Sequence, residues 1–360
     1  MKKNDESNPI VFQQKPWSGN SNSAWLVSTM ELRRNIEKFK FPGKLESDRK
    51  QQIMSLITDG FLSKDVYSSV GLLNPAVVKL GEMSSLEKEF LMEHFLSSQS
   101  YQQSNEGEGL ILDQTGEFLA TLNVRDHLSL QLIDCKGELE QVWNRLVKME
   151  TNLGKTMNYA YSPKFGFLTA DPAQCGTALL VTVYLQLSGL IHLGKIDEVL
   201  DKLADTSLLI SGIQGDPNEI IGDVLMVQNN YTLGVNEENI ISSLHSFTTK
   251  ILSEEISARN QIKEDKGADF KDKVSRAYGI LVHSYQIEVI EALNALSLLK
   301  LGVAVGWISG IDNSGINELF FNCRRAHLLY QCKDKLNQEE IPHKRSERIH
   351  EALRNVKLLI

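Results

Sequence analysis

The chain has 360 residues, 42% hydrophobic and 23% charged, enough for a sizeable core and, as a prior from length, two domains. A formal net charge of -8 disfavours non-specific nucleic-acid binding, and four scattered cysteines (Cys135, Cys175, Cys323, Cys332) without a CxxC pair argue against a disulfide scaffold or zinc site. No apolar run reaches the ~18 residues of a membrane span, and the polar start MKKNDESNPIVFQQKP lacks a signal-peptide core. A cytoplasmic protein with a disordered tail over residues 1–20 is therefore expected.

In chain order, residues 84–96 and 137–149 space their apolar side chains at about 3.6 and predict amphipathic helices. Between them, GLILDQTGEFLATLN (109–123) predicts a β-hairpin about Asp113-Gln114-Thr115-Gly116, where glycine accepts a positive φ. The alternating aromatics Tyr159, Tyr161, Phe165 and Phe167 read as core and turn packing rather than a base-stacking platform. Residues 207–213 and 223–230 predict strands. From Asn236, an N-cap followed by acidic residues, helical patterns take over through 236–262 and 271–303, with a break expected across 264–273. The chain thus divides into an α+β part up to about residue 245 and an all-helical part beyond it, with no repeat at solenoid periods.

Four segments resemble motifs of the phosphagen (ATP:guanido phosphotransferase) kinases, most closely those of the bacterial protein-arginine kinases. They are VSTMELRRN (27–35), NVRDHLSLQ (123–131), FGFLTADPAQCGTALLVTV (165–183) and SGIQGDPNEIIGDVLMVQNNYTLG (211–234). The family patterns read S-[ST]-R-I-R-L-A-R-N, N-E-E-D-H-[LI]-R-I, [GF]-x-L-T-x-C-P-T-N-x-G-T-x-x-R and R-G-x-x-G-E…N-Q-x-T-L-G. Ser257-Ala258-Arg259 and RAYGIL (276–281) resemble the helical domain of the arginine-kinase branch. The resemblance implies an antiparallel β-sheet flanked by helices (21–245) followed by an all-helical C-terminal domain (246–360). It also implies a homodimer that works with a small zinc-binding activator and a Clp-type unfoldase, with neither nucleic acid nor membrane as partner. Asn123, Asp126, His127, Gly166, Pro172, Gly176, Gly212, Gly222, Asn229 and Gly234 stand where the patterns have them, and such glycines and prolines set backbone geometry.

The chemistry that the resemblance implies is transfer of the ATP γ-phosphoryl group to a guanidinium, with carboxylates to orient and deprotonate it and arginines around the triphosphate. Those residues are mostly replaced. The catalytic glutamate of N-E-E-D-H aligns with Arg125, the glutamate of R-G-x-x-G-E with Asp216, and the reactive cysteine with Asp171. The arginine positions carry Thr29, Glu31, Glu89 (in LEKEFLMEH, against L-E-K-R-x-L-x-E), Ser129, Leu180 and Ser211. With roughly 4 kcal/mol per close charge pair at an effective dielectric near 20, these changes are expected to abolish triphosphate binding. A shift of two residues in the first motif would restore an arginine from Arg33 or Arg34, but then L-x-R-N no longer fits. Asp126-His127 reads as a structural strand-end pair rather than a catalytic one, and Asp171 with Asp216 as a weak metal-site candidate.

KRSERIHEALR (344–354) resembles the R-D-x-x-R-A-x-x-I-R segment that binds phosphoarginine in the arginine-kinase branch, with Arg345 and Arg348 matched to its arginines and Ser346 in place of the aspartate. Arg276 is expected to join them. A solvated basic helix end is the equal alternative. The expectation is a pseudokinase acting as a binding or adaptor protein without a cofactor. The alternative is an active protein-arginine kinase with a rearranged site that uses ATP and magnesium.

Overall fold

Side chains on β1 (Trp25–Arg34) alternate so that Met30 and Leu32 point to one face while Thr29, Glu31 and Arg33 point to the other. In the computed structural model, which describes residues 12–360 apart from 98–99, 214, 217–218, 266 and 333–335, that alternation runs across an eight-stranded sheet. The other strands are β2 (Ala76–Lys79), β3 (Gly109–Leu112), β4 (Phe118–Leu122), β5 (Leu128–Asp134), β8 (Leu179–Gln186), β9 (Leu208–Gly212) and β10 (Val224–Asn229), ordered β2-β3-β4-β5-β1-β8-β10-β9 and antiparallel throughout. β6 (Tyr161–Ser162) and β7 (Gly166–Phe167) form a small separate hairpin.

The apolar face, with Met30, Leu32, Leu130, Leu132, Val181 and Val183, is covered by α1 (Ser47–Phe61), α4 (Leu139–Leu153) and α7 (Glu237–Asp265) in one core. The short α2 (Lys64–Tyr67), α5 (Ser188–His192) and α6 (Ile196–Lys202) fill its margins. Helix α3 (Ser85–His94) begins at a Ser84–Glu87 capping box and packs Phe90, Leu91 and Phe95 into a second core shared with the helical domain. That domain comprises α8 (Ala268–His283), α9 (Val289–Val305), α10 (Asn313–Asn322), α11 (Arg325–Gln331) and α12 (Ile341–Ala352), closed by a short pairing of β11 (Ile308–Ser309) with β12 (Lys357–Leu358).

The expected antiparallel sheet with flanking helices and a helical C-terminal part is what the chain forms. The Asn236 side chain accepts from the Asn239 N–H (2.8 Å) and caps α7, as its sequence context predicts. Three expectations need correction. The first is the disordered tail over 1–20. Residues 1–11 lie outside the described residues, but Trp17 is buried, stacked on Phe321 with ring centroids 4.5 Å apart, because a large aromatic finds a covered site between α3 and α10. The break across 264–273 is shorter, since α7 continues to Asp265 and α8 starts at Ala268. The single pattern 271–303 is two helices, α8 and α9, separated by residues 284–288.

The glycines kept from the motifs are explained by close approaches. A Cβ on Gly176 (φ +106°) would lie 2.2 Å from the Thr232 carbonyl oxygen, and one on Gly222 (φ +62°) would meet the Phe320 ring at 2.8 Å. Gly222 thus fits sheet to helical domain, and its N–H donates to the Asn294 side chain at 2.7 Å. No described helix is long and apolar enough to cross a membrane.

Candidate active site

The sheet face opposite the apolar core carries the motif positions. Register sets Glu31 opposite both Gln131 and Leu180, and Thr29 opposite Thr182. As a result Thr29, Glu31, Ser129 and Leu180, named from three separate motifs, line one small cleft of about 80 Å³ with Thr121, Gln131, Thr182, Tyr184, Met226 and Gln228. Ser211 lies on the same face two strands further out, opposite Met226, which is opposite Tyr184. Glu89 does not line this cleft. Its carboxylate, on α3, pairs with the Arg325 guanidinium of α11.

The acidic substitutions are all paired. Arg33, on the cleft face two residues beyond Glu31, donates from Nε to Glu31 Oε1 (2.8 Å) and from Nη2 to Oε2 (2.9 Å), a bidentate fork, and also donates to Gln174. Ser129 Oγ donates to Glu31 at 2.6 Å. Burial pushes the Glu31 carboxyl up, yet the Arg33 charge and the hydrogen bonds from Arg33 and Ser129 outweigh it and hold the carboxyl below its ordinary value. Arg125 Nη2 donates to Asp171 Oδ2 at 2.9 Å, so two residues named from separate motifs form one partly exposed ion pair. Glu31 thus lines the cleft and Glu89 does not, and each has its own arginine. In the sequence Arg33 enters only as the product of a shifted alignment, although strand alternation already puts 29, 31 and 33 on one face. Arg325, far away in sequence, gives no such signal.

Around the cleft the scaffold is hydrogen-bonded as a strand-end structure. Asp126 Oδ1 accepts from Asn35 Nδ2 (2.6 Å) and from the Ala170 N–H (2.7 Å). His127 Nδ1 accepts from the Ile36 N–H (2.9 Å), and its Nε2 meets the Lys40 carbonyl (2.9 Å), in keeping with the structural reading of the pair. Arg34 Nε pairs with Glu150 (2.9 Å), and its guanidinium lies 3.5 Å from the Phe167 ring centroid. Asp216 lies in the turn after β9, where its carbonyl accepts from the Gly212 N–H at 2.9 Å. Among the described residues no group of three or more His, Cys, Asp or Glu side chains is arranged to hold a metal.

In the helical domain the three arginines do not converge. Arg345 is 2% exposed and donates to the backbone carbonyls of Cys323 and Ile287, both at 2.8 Å, tying α12 to two loops. Arg348 faces outward, donates to Glu351 (3.2 Å) and Gln331 (3.1 Å), and lines a cavity of about 360 Å³ with Leu328, Cys332, Lys344 and Glu347. Arg276 is exposed, pairs with Asp272 (2.6 Å) and does not line that cavity. Residues three apart lie only about 60° from each other around a helix, yet Arg345 is drawn inward by the two carbonyls it bonds while Arg348 stays exposed.

An eight-stranded antiparallel sheet with this motif order and an appended helical domain defines a guanidino-kinase-like fold. The chain belongs to the protein-arginine kinase branch of the ATP:guanido phosphotransferase family. The model of the ATP:guanido phosphotransferase C-terminal catalytic domain matches residues 44–258, and that of the protein-arginine kinase McsB C-terminal domain matches 267–358. The protein-arginine kinase of Chlamydia pneumoniae is 33% identical over 346 residues, covering 94% of both chains. That of Halothermothrix orenii is 31% identical over 328 residues, covering 91% of this chain and 92% of its own. The fold is similar to lombricine kinase (TM-score 0.55, 18% identity, 72% of this chain and 75% of that one). It is also similar to the duplicated taurocyamine kinase of Schistosoma mansoni (TM-score 0.56, 20% identity, 80% of this chain and 42% of that one).

Proposed function

We propose that this chain works in protein-arginine phosphorylation as a cytoplasmic binding or adaptor protein whose sheet cleft no longer transfers phosphate. The observation that carries the reading is the fate of the guanidinium that shares the cleft face: Arg33 is gripped bidentately by Glu31. No lysine or arginine is among the described residues that line the cleft, and its volume of about 80 Å³ falls below the ~300 Å³ of ordinary small-molecule sites. A triphosphate would meet no basic side chain among the described lining residues, and Arg125, paired with Asp171, offers no base to a guanidinium. The retained ligand chemistry in this reading is phosphoarginine at the Arg348 cavity. In this reading Arg348 and Lys344, which line that cavity, would take the phosphate, and Glu347 and Glu351, their present ion-pair partners, the guanidinium. Partner proteins, among them a zinc-binding activator and a Clp-type unfoldase, and a homodimer follow from the family alone.

A second reading, an active protein-arginine kinase using ATP and magnesium with a rearranged site, is favoured by the relatives: chains 33% and 31% identical along nearly their full length carry that activity in their names. The comparisons support this reading more directly than the first; the side-chain geometry supports the first. One experiment separates them. Incubation of the full chain with magnesium-ATP and an arginine-rich protein, read by mass spectrometry for phosphoarginine, is expected to give no product. Time-dependent phosphoarginine in stoichiometric amount would establish the second reading, and phosphoarginine titrated by calorimetry then reports whether the helical-domain cavity binds in either case.

A further inference from the structure

The seam between α3 and α11 buries two histidines in an aromatic cluster. His94 and His327 are 1% and 2% exposed, and their rings are nearly parallel with centroids 5.7 Å apart. Phe12, Trp17 and Phe90 pack against them at 4.5–5.5 Å. Hydrogen-bond partners fix both tautomers. His94 Nε2 meets the Gly116 carbonyl at 2.8 Å, and a carbonyl only accepts, so the proton is on Nε2 and Nδ1 carries a lone pair. His327 Nδ1 meets Glu93 Oε2 at 3.0 Å, so its proton is on Nδ1 and its lone pair on Nε2. Neither lone-pair nitrogen has a partner among the described residues. Each ring thus has one buried nitrogen that a second proton would occupy with no acceptor to meet it among the described residues.

The same few residues tie α3 to α11. The Glu93 carboxylate of α3 accepts from the Ala326 N–H (3.0 Å), the His327 N–H (3.1 Å) and the His327 ring, and Glu89, one turn earlier, pairs with Arg325 at the rim. We propose that His94 and His327 form an acid-sensitive latch: with both rings neutral α11 stays docked on α3, and a proton taken up by the pair loosens α11 from α3.

The charges facing the pair set the direction. Arg324, at the start of α11, and Lys15, in the segment before β1, face both rings and disfavour a cation. Glu93 is the carboxylate in contact, and it favours a cation on His327 alone. His94, bonded to a neutral carbonyl, is therefore the ring whose protonation opposes docking most. Burial first, then these neighbouring cations, hold both rings well below their ordinary 6.5. A base whose docked pKa is depressed stabilises docking fully above the undocked value, about 6.5, and progressively less as pH falls below it.

The test is hydrogen exchange of the full chain by mass spectrometry between pH 7.5 and pH 5. Rates are corrected for intrinsic pH dependence and referred to β5 as an internal standard. Exchange of the α3 and α11 peptides is expected to rise roughly tenfold per pH unit for each proton taken up below about 6.5. His94→Gln should cut that slope by about one proton, and His94→Gln with His327→Gln should flatten it. A slope unchanged in the double variant, or seam exchange raised equally at every pH, would overturn the proposal, the latter marking a purely structural role. Ring NMR of the wild type tests the latch without a variant. Both rings should stay neutral until the seam opens, and titration near 6.5 with the seam still protected would also overturn it.

Discussion

The two faces of one sheet show how differently a fold and its chemistry are encoded. On the face under α1, α4 and α7, apolar residues repeat strand by strand, and each is specified by burial alone. On the cleft face, Thr29, Glu31, Ser129 and Leu180 line a small cleft, and what they do depends on neighbours: Arg33 for Glu31, Ser129 for the same carboxylate. One face tolerates only volume-conserving change. The other can change its polar side chains while the strands beneath keep their register, because hydrogen-bonded ladders do not depend on which polar side chain projects from them.

That contrast can be tested by how much each face resists substitution. Leu132→Ala, fully buried between β4 and β1, should lower unfolding free energy by about 2–5 kcal/mol, whereas Thr29→Ala should stay within about 1 kcal/mol. Urea denaturation measures both, and equal losses would mean that the cleft face also carries the fold.

A smaller effect sharpens the contrast within α12. Arg345→Ala leaves the Cys323 and Ile287 carbonyls without their donor and should cost about 1–3 kcal/mol. Arg348→Ala, on the exposed face, should cost under about 0.5 kcal/mol. Similar thermal shifts for both variants would show that the inward arginine is not structural.

The smallest effect concerns acid stability. Because the folded Glu31 carboxyl lies below its ordinary 4.5, its contribution is present above about pH 4.5 and lost as pH falls through the folded value. Glu31→Gln should therefore flatten part of the acid limb of stability below pH 4.5. An acid limb identical to that of the wild type would place the shift elsewhere.

Much of the fold was legible in the sequence. Apolar spacing at 3.6 announced α3 and α4, short apolar runs announced β3, β4, β9 and β10, and Asn236 announced the start of α7. These signals are local, written within one turn or one strand pair. The four motifs also placed Thr29, Glu31, Ser129 and Leu180 in a common site, since motif order in a known topology carries long-range information.

What the sequence by itself did not determine was every partner distant along the chain. That Glu89 meets Arg325, that Arg125 meets Asp171, that Trp17 is buried against Phe321, and that Arg345 turns into the core rather than toward a ligand are decisions of packing. The physical reason is the reach of each interaction. Helix and strand periodicity are fixed by backbone geometry a few residues long, whereas a charge finds its counter-ion only after the sheet and the helical domain have closed on each other.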